Sequence, residues 1–72
     1  MHITFLFYEG LTALDAIGPH EVLSRLPGVT VQRVGLKPGI VNAYLGMKLI
    51  ADYPISAVSK TDILVIPGGG YA

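Results

Sequence analysis

Apolar residues come in runs along this chain, and the period of each run predicts an element. His2 to Tyr8 (HITFLFY) is an unbroken β-branched and aromatic stretch of strand length, closed by Glu9 and Gly10. It predicts a central strand buried on both faces. From Thr12 the period changes. Leu14, Ile17, Val22, Leu23 and Leu26 fall near helical spacing, and Pro27-Gly28 supplies a stop, so the pattern predicts a helix over 13–26. Pro19 inside it lacks a backbone donor and crowds the preceding turn, which predicts a kink or a break at Gly18-Pro19.

Residues 29–36 (VTVQRVGL) set Val29, Val31 and Arg33 against Thr30, Gln32 and Val34, the alternation of a second strand. Strand, helix and strand in so short a span predict a right-handed βαβ unit with parallel strands. Beyond the Lys37-Pro38-Gly39 break, segments 40–44 and 47–52 predict a hairpin turning at Leu45-Gly46 and appended to a sheet edge. Residues 54–58 (PISAV) predict one helical turn, and 59–62 a polar turn. The last strand, 62–67 (DILVIP), has four consecutive aliphatic residues and is expected to be buried on both faces. The order β, α, β, hairpin, β is the first half of an open, doubly wound, mostly parallel α/β sheet, and one long helix would leave a sheet face bare.

Composition sharpens this picture. At 72 residues with 51% apolar, 14% charged and zero net charge, the chain has the make-up of a buried interior. It is neither a disordered tail nor an electrostatic nucleic-acid binder. A chain of this length buries only about 60% of its unfolded surface. The expectation is therefore one unit, residues 1–72, forming the N-terminal portion of a larger domain from a truncated chain. There is no cysteine, which removes disulfides, thiolate metal sites and a cysteine nucleophile from these residues. His2 and His20 match no zinc spacing. No apolar stretch reaches the roughly 20 residues of a membrane span and no secretory signal opens the chain, so a cytoplasmic location without membrane association is expected.

Candidate chemistry lies where loops leave the carboxyl ends of parallel strands. One loop (YEGLTALDAIGPHEVL) carries Asp15, and the other is Pro67-Gly68-Gly69-Gly70. If their strands are neighbours, Asp15 and the glycine amides share a crevice. The glycines complete neither a phosphate loop nor a dinucleotide fingerprint. They read either as a plain turn or as amides for an oxyanion, since glycine allows close approach and positive φ. Asp15 reads either as a helix-start carboxylate or as an acid. Glu9 reads as solvated, Glu21 and Arg25 as an exposed i, i+4 pair, and the scattered tyrosines 8, 44, 53 and 71 offer no stacking platform for nucleic acid.

Taken together, LDAIGPHEVL (14–23) and DILVIPGGG (62–70) resemble the paired N-terminal signatures of the DJ-1/PfpI superfamily. That resemblance implies a flavodoxin-like, three-layer α/β/α sandwich with glutamine-amidotransferase-like architecture. It also implies a homodimer and a small-molecule substrate with no cofactor, while the residues themselves predict no metal and no nucleic acid for this domain. By position it makes Asp15 the acid and Gly69, with Gly70 beside it, the amide donor. The nucleophile would be a cysteine on a strand-to-helix elbow further along than these residues. Aspartate within Leu-Asp-x-x-x-Pro-His-Glu-Val-Leu is most similar to the isocyanide hydratase branch, lyases that hydrate an isocyanide to an N-substituted formamide through a thioimidate. The resemblance leaves two alternatives: a sensory domain of an AraC-type transcription regulator, and a glyoxalase- or deglycase-like enzyme.

Overall fold

The computed structural model describes residues 1–69, which form a parallel sheet, one helix packed on it, and a separate hairpin. The elements in chain order are β1 (His2–Leu6), α1 (Ala13–Leu23), β2 (Thr30–Gly35), β3 (Gly39–Asn42), β4 (Lys48–Ala51), β5 (Tyr53–Pro54) and β6 (Ile63–Val65). Short 3-10 turns at Tyr44–Gly46 and Ile55–Ala57 complete the set. The four-stranded sheet has the order β5-β2-β1-β6, with every pair parallel. This is the expected flavodoxin-like α/β arrangement.

β1 is the centre in every sense. It pairs with β2 on one side and β6 on the other, and Ile3, Thr4 and Phe5 are buried. Because side chains alternate along a strand, burial of three successive residues means that both faces are covered, as the apolar run predicts. Thr4 is the one buried polar residue among those described, and its hydroxyl is satisfied by donating to Thr61 Oγ1 at 2.7 Å. The core gathers Ile3, Phe5, Phe7 and Leu11 from β1 and its exit, Ala16 from α1, and Val41, Ala43 and Ala51 from the hairpin.

Four expectations need correcting. α1 runs unbroken through Pro19 and stops at Leu23, with neither a break nor the extra turn to Leu26. Pro19 falls in the half-buried part of the helix, and its only local consequence is that no N–H reaches back to the carbonyl of Asp15. Most of the predicted apolar stripe of α1 also lies outside, Leu23 alone packing on the core. Ala16 is the buried contact and Leu23 packs at the core margin, whereas Leu14 and Val22 are 73% and 67% exposed. Apolar residues ring the helix, so spacing alone does not select a face.

The third correction concerns the hairpin, whose β3 and β4 pair antiparallel as a two-stranded sheet of their own and not as an addition to an edge of the main one. The edge beside β2 is taken instead by β5, a two-residue strand that the sequence pattern hides behind Pro54. A proline is tolerated there because an edge strand has one side without ladder bonds. Finally, β6 is not buried on both faces. It is the opposite edge, with β1 as its only partner strand among the described residues, and Leu64 and Ile66 are 50% and 62% exposed.

Candidate active site

The strand order creates a topological switch point beside β1. From β1 the chain moves outward to β2, and β5 then extends the same side; the return to β6 brings it to the other flank of β1. Loops leaving the carboxyl ends of β1 and β6 therefore meet at a topological switch point, where open α/β sheets place their ligands. The two candidate loops are those two loops, and the register Ile3↔Ile63 to Phe5↔Val65 makes them neighbours.

Their contact is tight and mostly backbone. Thr12 N–H donates to the Gly68 carbonyl at 2.7 Å, and Leu11 and Gly69 form an antiparallel bridge. The Tyr8 hydroxyl donates to the Pro67 carbonyl. α1 begins directly after these contacts, with Thr12 as an extended N-cap whose side chain makes no capping bond, and Asp15 N–H donates to the Thr12 carbonyl at 3.0 Å. The docking of Thr12 on Gly68 thus fixes where the first turn of α1 starts, and with it the position of Asp15.

Asp15 and Gly68 are close neighbours. A Cβ added at Gly68 would lie 3.0 Å from Asp15 Oδ2. The carboxylate is exposed, and among the described residues it accepts no hydrogen bond. It is therefore not spent as a helix cap. Gly68 is exposed and Gly69 half-buried, and no described carbonyl or carboxylate accepts from either N–H. A carboxylate beside the Gly68–Gly69 turn, at the carboxyl ends of β1 and β6, is placed to deliver or hold a proton there.

The reason for glycine here differs from one of those expected. Neither Gly68 nor Gly69 has positive φ. What they require is space: a Cβ at Gly69 would meet the Tyr8 hydroxyl at 2.9 Å and the Gly10 carbonyl at 3.0 Å. Gly70, the other predicted amide donor, lies outside the described residues.

Glu9 is not simply solvated. Its carboxylate accepts from the Asn42 backbone N–H at 2.9 Å and from Asn42 Nδ2 at 3.3 Å, while Gly10 N–H donates back to the Asn42 carbonyl at 2.9 Å. The hairpin thereby braces the loop that carries Asp15, and Lys48 Nζ on Asn42 Oδ1 extends the brace. His20 is likewise structural. Its ring packs tilted on Phe5 at 5.0 Å, and Arg33 donates to its Nε2 at 3.0 Å while also pairing with Asp52 at 2.7 Å. Among the described residues no three of His, Cys, Asp and Glu are grouped to hold a metal, and no helix is long and apolar enough to cross a membrane.

Tyr8 and Thr12 are the residues at this site that sequence reasoning did not single out. Thr12 acts through a backbone atom, which leaves no mark on residue type. Tyr8 offered a signal in its place as the last residue of the first apolar run, at the point where the chain leaves the sheet for the crevice.

Comparison with known proteins places this geometry among relatives. The model of the DJ-1/PfpI family matches residues 1–72. No curated protein matches the chain. Among solved structures, the crystal structure of an AraC family transcriptional regulator from Pseudomonas putida is similar, with a TM-score of 0.61 at 24% identity. The match covers 94% of this chain and 46% of that one, so the chain spans less than half the length of that structure. At that identity the likeness concerns the fold.

Proposed function

The chain belongs to the DJ-1/PfpI family, and from that premise we propose that Asp15 and the Pro67–Gly69 turn are the acid and amide half of a small-molecule site, used to hydrate an isocyanide to an N-substituted formamide. The observation that carries this is the exposed Asp15 carboxylate, without a hydrogen-bond partner among the described residues and 3.0 Å from the position a Gly68 Cβ would take. Hydration of R–N≡C adds the proton and the hydroxyl of one water to the terminal carbon to give R–N=CH–OH, and the hydroxyl proton then moves to nitrogen as C=N becomes C=O in the formamide R–NH–CHO. Asp15 would shuttle protons, and the Gly69 amide would hold the developing negative charge. No cysteine is present in these residues, so the nucleophile comes from elsewhere in the working protein.

The test is an assay of the protein carrying this domain on an aryl isocyanide and, separately, on methylglyoxal. Formamide production that falls about 100-fold or more in kcat/KM in Asp15→Asn is the expected result. Turnover of methylglyoxal alone would transfer the site to the glyoxalase-like reading.

A second reading is favoured by one observation, the likeness to the AraC family transcriptional regulator. On it the same crevice binds a small effector without turning it over, and the domain is the sensory half of a regulator. A DNA-binding segment in the protein carrying this domain, with DNA affinity that changes on adding an isocyanide but no formamide formed, would decide for it.

A further inference from the structure

We infer that Tyr8 is a positioning residue for the amide half of this site: its hydroxyl and ring hold the Pro67–Gly69 turn so that the Gly69 N–H faces the crevice beside Asp15. The inference rests on the reading of Gly69 as the amide donor. Three contacts carry it. The Tyr8 hydroxyl donates to the Pro67 carbonyl, which lies immediately before the two glycines. Cε2 and the hydroxyl of Tyr8 would stand 3.2 and 2.9 Å from a Cβ at Gly69, so the edge of the phenol rests against the glycine itself. The opposite boundary is backbone: the Gly10 carbonyl would stand 3.0 Å from the same Cβ, and Thr12 N–H holds the Gly68 carbonyl at 2.7 Å. A turn of two glycines has more backbone freedom to lose than any other dipeptide. Something must therefore fix its amides if they are to be preorganised for charge.

Tyr8 is half-buried at the end of the first apolar run and packs against the core through its ring. The anchor is consequently rigid, and the hydroxyl is held at the height of the turn. A purely packing role would be served by phenylalanine; the hydrogen bond to Pro67 would not.

The experiment compares the 15N-labelled protein carrying this domain with its Tyr8→Phe variant. Backbone order parameters of Gly68 and Gly69 should fall from about 0.85 to below about 0.6. Exchange of the Thr12 amide, which reports on docking of the turn, should accelerate on the order of tenfold, with the β1 amides unchanged. In the same variant kcat for hydration should drop about tenfold or more with KM within about twofold, the signature of an interaction made in the transition state. Unaltered Gly68, Gly69 and Thr12 dynamics would overturn the assignment. A uniform acceleration of exchange through the sheet would overturn it too, by making the hydroxyl a general stability group. If neither protein hydrates isocyanides, the proposed reaction fails while the order parameters and Thr12 exchange still decide the role of Tyr8.

Discussion

At the scale of single residues, the two described glycines of the turn differ in what surrounds them, and their substitutions should differ accordingly. At Gly69 an added methyl meets a backbone carbonyl and a held phenol, neither of which can yield easily. Gly69→Ala should cost about 1–3 kcal/mol, read by chemical denaturation, because overpacking displaces the turn. At Gly68 the obstacle is the far end of the exposed Asp15 side chain. Gly68→Ala should therefore cost less than about 1 kcal/mol while pushing the carboxylate aside and lowering activity as Asp15→Asn does. Equal stability losses would show that the turn tolerates both alike. Asp62 gives a pH prediction. The His2 N–H, donating to its carboxylate at 2.6 Å, holds its pKa below the ordinary 3.8, with smaller help from the N-terminal ammonium, Lys60 and His2. A depressed folded pKa means stability that is present above the unfolded value and lost as pH falls through the folded one. Asp62→Asn should flatten the acid limb of the stability curve below about pH 4 and leave its shape near pH 7 unchanged. An unchanged acid slope would assign that limb to other carboxylates.

At the scale of elements, what was legible depended on whether an element's burial followed from its own residues. β1 reads correctly because its apolar run is long enough to demand cover on both faces, and its neighbours supply it. β6 has the same aliphatic character and is half-exposed, because only its place at the edge decides its burial. α1 illustrates the same point in another way: with Leu14, Ile17 and Val22 on one side and Ala16 and Leu23 on the other, only the docked helix shows which face is inside. The hairpin turn carries a testable strain. Leu45 has φ 72° and is 91% exposed, a left-handed conformation held by a bulky residue at the surface. That conformation costs an L-residue about 1–2 kcal/mol, and asparagine bears it better. Leu45→Asn should raise stability by about 1 kcal/mol, seen as an upward shift in Tm. A loss of stability would mean that the leucine packs on something when the protein is at work.

At the scale of the whole molecule, the balance of covered and bare surface governs behaviour. Leu14, Val22, Leu36, Ile40, Leu64 and Ile66 are all more than 49% exposed, and β6 presents an edge without a partner strand among the described residues. Open edges and apolar patches of this kind pair with other chains. The 72 residues expressed alone should accordingly aggregate, or stay molten with retained far-UV but lost near-UV circular dichroism. A soluble monomer with a sharp, cooperative thermal transition would contradict this. The same scale explains where the proposed site lies: it needs two neighbouring strands whose carboxyl-end loops meet, and the order β5-β2-β1-β6 supplies them.

By itself the sequence determined the α/β class, the parallel βαβ start, the hairpin and the family, because periodicity, turn residues and paired motifs are local properties of the chain. It also determined which loops to compare, since Asp15 and Pro67–Gly69 each follow a strand. Only the tertiary structure decided that β1 and β6 are adjacent, that the glycines serve close approach and not positive φ, and that Tyr8 and Thr12 clamp the turn. These are contacts between segments more than fifty residues apart, made largely by backbone atoms that every residue shares. Residue type cannot encode them until the strands have found their order.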